Sequence, residues 1–184
     1  MNLIEVFVLA VGLSMDAFAV SIGKGLGLRE KNPKYGLLCG IWFGAFQALM
    51  PAIGYFAGSR FTGMVQSVDH WIVFAILALL GINMIRSSRK EPEEVDPSFG
   101  PLTMLALAIA TSIDALAAGI SFALMKVALV TSVLLIGVTT FCFSFVGVTI
   151  GTVLGSKFRS AAEAFGGIVL IAIGIKVLVT HLVG

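Results

Sequence analysis

Charge is scarce in this chain. Only 12% of its 184 residues are Asp, Glu, Lys or Arg, 58% are hydrophobic, and the mean hydropathy is +1.05. A soluble domain carries about twice that charged fraction, so a water-exposed globular fold is excluded. Cysteine is nearly absent. Cys39 and Cys142 fall in apolar segments and form no CxxC pair, so both are read as small core residues rather than as a zinc or redox centre. No GxxxxGK[ST] loop is present, so the chain does not energise its own work with a P-loop ATPase. Met1–Glu5 carries no basic segment and no small-residue cleavage site follows it, so the start is expected to be a retained helix. Little length remains for a soluble catalytic domain, and neither an enzyme nor a nucleic-acid binder is expected.

What is present in quantity is apolar runs. A hydrocarbon core of ~30 Å takes about 20 apolar residues per helix. Six such stretches are legible: Leu3–Ile22, Tyr35–Ala57, Trp71–Ile85, Leu102–Leu124, Val127–Leu154 and Ala164–Leu182. Backbone polar groups in lipid must be satisfied within the segment, and the period-2 alternation of a barrel is missing, so these are predicted helices of an all-α integral membrane protein. The first, third and fifth links hold nine basic residues: Lys24, Arg29, Lys31, Lys34, Arg86, Arg89, Lys90, Lys157 and Arg159. The second and fourth hold only Arg60 and Lys126. The positive-inside rule then puts the nine in the cytoplasm and both termini outside. An acidic run in the third link, Glu91, Glu93, Glu94 and Asp96, reads as a solvated linker.

The chain also repeats itself. Ser14-Met15-Asp16-Ala17-Phe18-Ala19 matches Ser112-Ile113-Asp114-Ala115-Leu116-Ala117 at an offset of 98, and Gly58-Ser59-Arg60-Phe61 matches Gly155-Ser156-Lys157-Phe158 at an offset of 97. At the latter offset Gly40, Phe46, Ile53 and Gly54 match Gly137, Phe143, Ile150 and Gly151. Gly81-Ile82 matches Gly174-Ile175 at an offset of 93. The expected organisation is a three-helix repeat over 1–90, a polar acidic linker over 91–100 and a second three-helix repeat over 101–184. Because each repeat has an odd number of spans, the second enters the membrane from the opposite side. Such an inverted-topology repeat is an architecture of secondary transporters, which alternate by exchanging the conformations of their two halves.

Two carboxylates, Asp16 and Asp114, fall inside the first and fourth spans. An ionised carboxylate at the bilayer centre costs at least ~2.5–3.5 kcal/mol, and such residues usually face a bundle interior or a hydrated cavity. From the span boundaries the two lie within roughly 10 Å of each other along the membrane normal. Like charges that close repel, and a divalent cation or exchange with protons relieves the repulsion. Ser14, Ser112 and Thr111 lie within three residues of an Asp and offer oxygen ligands, or alternatively bonds to the carbonyl one turn back. Gln47 and Asn83 are amides inside the second and third spans, suited to a ligand shell or to interhelical bonds, and Ser144 aligns with Gln47 in the repeat. The glycines of the second and fifth spans, several at GxxxG spacing, suit close helix packing. No His or Cys stands near either Asp in the sequence. An all-oxygen site suits Mg2+, Ca2+ or Mn2+ and leaves the choice among them open.

The stretch Ser14-Met15-Asp16-Ala17-Phe18-Ala19-Val20-Ser21-Ile22-Gly23-Lys24-Gly25, with Thr111-Ser112-Ile113-Asp114-Ala115 and Asp69-His70-Trp71-Ile72, resembles the bacterial manganese efflux pump family MntP of the lysine-exporter superfamily. The resemblance runs over essentially the whole chain. It implies Mn2+ export across the bacterial cytoplasmic membrane, with the lipid bilayer, Mn2+ and H+ as partners, no bound cofactor, Asp16 and Asp114 at the metal site, and a lesser role for Gly25. It also marks a departure: some members carry an acidic residue in the second span where this chain has Gln47. Other functions weighed are export of an amino acid or another divalent cation within the same superfamily, and a membrane thiol–disulfide carrier. An amino-acid exporter needs a buried cation for the substrate carboxylate. A thiol–disulfide carrier needs paired cysteines, and Cys39 and Cys142 are not related by the repeat.

Overall fold

The computed structural model describes residues 3–28, 32–60, 69–88 and 98–154, and between 164 and 179 residues 164–165, 168–169, 171–176 and 178–179. The acidic run, Lys157 and Arg159 of the fifth link, Gly155 and His181 lie outside the described residues. Six helices are delimited: α1 Leu3–Leu26, α2 Pro33–Ser59, α3 Asp69–Ser88, α4 Pro101–Ala110, α5 Ile113–Leu124 and α6 Leu129–Leu154. The residues described between 164 and 179 are helical as well, and no strand occurs among the described residues.

Local chemistry sets the helix ends. Pro33 opens α2 behind Asn32, whose side chain accepts the Lys34 N–H at 3.1 Å, and Pro101 opens α4 behind Gly100. Proline loses nothing at a first helical position, where its missing N–H has no helical partner. The link from α5 to α6 is tight. Lys126 adopts a left-handed φ of 52°, its N–H bonds the Ala123 carbonyl and the Val127 N–H bonds the Phe122 carbonyl. That is a Schellman turn, with Phe122 and Val127 packed in the same apolar cluster.

Among the described residues three helices are long and apolar enough to cross a membrane: α1, α2 and Leu129–Val153 of α6. A fourth span is complete if α4 and α5 are taken together, bent by 43° at their junction. The distribution of polarity is that of a membrane protein. Ser14, Ser112, Ser121, Ser132, Thr140 and Ser144 are buried, whereas Leu37, Ile41, Leu134, Val138 and Val146 face outward. Buried polar groups beneath an exposed apolar surface fit a lipid surround, which solvates apolar side chains and leaves polar ones to pair inside.

Each half of the chain packs on the other more than on itself. α1 lies chiefly along α6, α2 chiefly along α6 and α5, and α1 scarcely touches α2. Glycines permit these approaches. A Cβ on Gly54 would run into the Leu116 carbonyl, one on Gly119 into the Pro51 backbone, and one on Gly151 into the Ile22 carbonyl. Such backbone-to-backbone contact is what small residues provide in membrane bundles.

Four sequence expectations need correction. The fourth span is not one straight helix. Lys24, expected in the first loop, is inside α1 and fully buried. Cys142, expected in the core, lies on the outward face of α6 one turn from Val138 and Val146. Asn83 sits on the exposed face of α3 beside Ile82 and is directed away from the bundle interior.

Candidate cation site at a helix break

The break between α4 and α5 falls at Thr111–Ser112. Two adjacent hydroxyls cause it. Thr111 Oγ1 donates to the Ala108 carbonyl at 3.4 Å, and Ser112 Oγ donates to the same oxygen at 2.5 Å. Both compete with the helical ladder in one turn. The equivalent place in α1 has a single hydroxyl, Ser14, which donates to the Ala10 carbonyl at 2.6 Å, and there the helix continues.

The break puts Asp114 in the first turn of α5, where the partial positive charge of a helix N-terminus favours a carboxylate. Asp114 is only 7% exposed. Its Oδ1 accepts the Ala115 N–H at 2.7 Å, and its Oδ2 has no hydrogen-bond partner among the described residues. In an unbroken helix that N–H would go to the Thr111 carbonyl, so the break leaves this oxygen without its usual donor.

Asp16 is partly buried in α1, within electrostatic reach of Asp114. Around them α1, α2 and α6 bring polar groups to one layer. Gln47 Nε2 donates to the Leu13 carbonyl at 2.6 Å, which fixes the amide against α1 three residues before Asp16. Gln47 Oε1 is buried and has no partner among the described residues. Pro51 lies inside α2 and has no N–H to give to the Gln47 main-chain carbonyl four residues earlier, so that oxygen is freed as well. Ser14 Oγ and Thr140 Oγ1 are 2.8 Å apart, tying α1 to α6. Ser144 lies one turn along the same face of α6, and its Oγ is buried without a partner among the described residues.

The structure thus brings Asp16, Asp114, Ser14, Ser112, Thr111 and Gln47 to one region and leaves Asn83 outside it. The hydroxyls of Ser14, Ser112 and Thr111 donate to carbonyls three or four residues back, and Ser14 also meets Thr140; a donating hydroxyl keeps oxygen lone pairs for a cation. Thr140 escaped sequence reasoning because one threonine in an apolar span carries no distinctive pattern. Ser144 was visible only through its alignment with Gln47.

Among the described residues no three His, Cys, Asp or Glu side chains cluster. The oxygens at hand are two carboxylates, an amide, a hydroxyl and main-chain carbonyls, a hard set suited to Mg2+, Ca2+ or Mn2+ rather than to thiophilic metals. An apolar groove between α2 and α6, lined by Gly40, Gly44, Gly137 and Phe141, offers a cation nothing.

A family described as "Putative manganese efflux pump" matches residues 30–178. A Desulfitobacterium hafniense (strain Y51) protein described as "Putative manganese efflux pump MntP" is 51% identical over 182 residues, covering 99% of this chain and 97% of its own. Proteins of the same description from Acetivibrio thermocellus and Bifidobacterium adolescentis are 49% and 50% identical, over 99% and 98% of this chain and 93% and 97% of their own. No solved structure matches the chain.

Proposed function

The chain belongs to the Mntp family, and on that footing we propose that it is a secondary exporter of Mn2+, working by alternating access with proton exchange. The observation that carries the site is the pair Asp16 and Asp114, two carboxylates within electrostatic reach of each other beside buried oxygens that have no partner among the described residues. An Mn2+ ion neutralises both carboxylates as it binds. When it leaves, protons take its place, because two adjacent bare carboxylates in a low-dielectric layer repel. The same pair therefore suits metal outward and protons inward.

Two inverted halves, 1–90 and 101–184, supply the alternation. Two-fold exchange of the halves at an offset of 97 turns the pair Gly40–Phe141 into the pair Gly137–Gly44, and both pairs are in contact. Gly44 and Phe141 are each other's equivalents and also touch, as residues on such an axis must. The broken helix beside Asp114 supports the same reading, since discontinuous helices commonly carry the ion site of secondary transporters. The Lys24 end of α1 faces the cytoplasm of the bacterial cell in this reading, with both termini outside.

The test is the metal content of cells lacking the protein, with Mn, Fe, Zn and Mg measured together after a manganese load. Manganese rises selectively and returns to normal when the gene is restored. A rise in another metal with manganese unchanged refutes the substrate.

A further inference from the structure

Lys24 is a charged group buried inside α1 that the transport site does not use. A lysine two residues from the end of a membrane helix ordinarily extends its ammonium into water. Here the side chain is fully buried. Its Nζ donates to the Ser98 carbonyl and stands 5.1 Å from the centre of the Phe99 ring, a cation–π distance. Phe99 in turn packs on Tyr35 at the start of α2, ring centres 4.4 Å apart. One side chain of α1 thereby holds the segment leading into α4 against the foot of α2.

That segment is tied to α4. Ser98 Oγ accepts the Gly100 N–H at 3.2 Å, and the Gly100 carbonyl accepts the Met104 N–H at 3.0 Å. A displacement of Ser98 therefore moves α4. The far end of α4 is the Thr111–Ser112 break, two residues short of Asp114. Between the Lys24 contact and the break, Ala17, Cys39, Phe43, Met104, Ala108 and Val148 form a buried apolar cluster. On this side the approach to the carboxylates is filled by side chains of α1, α2, α4 and α6.

We propose that Lys24 is a positioning residue of the transport cycle: it latches α4 closed, and its release lets α4 swing about the Thr111–Ser112 break and open the route to the aspartates from the Lys24 end. A buried ammonium suits a reversible latch. Closed, its partners include the Ser98 carbonyl and the Phe99 ring; released, it is compensated by water. The role as a gate rests on the proposed site at Asp16 and Asp114, whereas the latch is measurable without it.

Cys39 is a built-in reporter, buried in the cluster behind the latch and within electrostatic reach of Lys24. The experiment uses the full-length chain with Cys142→Ala in inside-out membrane vesicles, treated with a charged, membrane-impermeant methanethiosulfonate. With Lys24 present Cys39 reacts slowly. Lys24→Gln speeds the reaction by about tenfold or more, the effect of losing one charge-assisted contact, and Lys24→Arg restores the slow rate. A second reporter guards against general loosening. Ala10→Cys, in the other apolar cluster, with Cys39→Ala, Cys142→Ala and Lys24→Gln, stays unreactive. Equal Cys39 rates with Lys24 and Gln, fast labelling of the Arg variant, or labelling of both reporters together overturns the latch. Failure of the manganese assignment would leave these rates as predicted, so the two readings fail separately.

Discussion

At the residue scale, the burial of the two aspartates in the bundle was legible, because a charge in an apolar run has few explanations. The commitment of each oxygen was not. Ser14, Ser112 and Thr111 turn their hydroxyls to nearby carbonyls, while Gln47 and Ser144 keep buried oxygens without partners among the described residues. The unpartnered oxygen of Gln47 gives a test. Gln47→Leu removes one oxygen and one hydrogen bond to a main-chain carbonyl. It is expected to change stability by only about 1 kcal/mol but to weaken the apparent affinity for Mn2+ in a flux assay by about tenfold. A normal affinity with a lowered melting temperature would make Gln47 structural. Lys24 was misplaced for a clear reason: Gly23-Lys24-Gly25 beside further basic residues has the composition of a solvated loop, and only packing against Phe99 reveals a buried charge.

At the element scale, the run from Leu102 to Leu124 contains no proline and reads as one apolar span, so its break was not legible. At the break itself the difference from α1 is one hydroxyl. Thr111 aligns with Leu13, and that second hydroxyl beside Ser112 diverts two donors in one turn to Ala108. Thr111→Leu combined with Ser112→Ala removes both. The double variant is expected to straighten α4 onto α5 and to gain about 1 kcal/mol in thermal stability, while Mn2+ export falls because Asp114 leaves the helix start. An unchanged export rate in a measurably stabilised protein would show that the break is incidental. The helix-packing role of the glycines, by contrast, was readable from their spacing alone.

At the scale of the whole molecule, the halves are interleaved rather than side by side, since α1 and α2 each find their main partners in the second half. This packing was not legible in the sequence, because it depends on long-range contacts. A reporter fused after Gly184 is expected to be active only when it reads an extracytoplasmic location, and a cytoplasmic signal would reverse the proposed orientation. The central claim is that Asp16 and Asp114 together carry Mn2+ across the membrane. It is tested most directly by manganese flux in proteoliposomes holding equal amounts of native protein, Asp16→Asn or Asp114→Asn. The native chain moves Mn2+ down an imposed counter-gradient of protons, and each Asn variant falls at least about tenfold, consistent with the loss of a direct metal ligand. Native-like flux from either variant would contradict the claim.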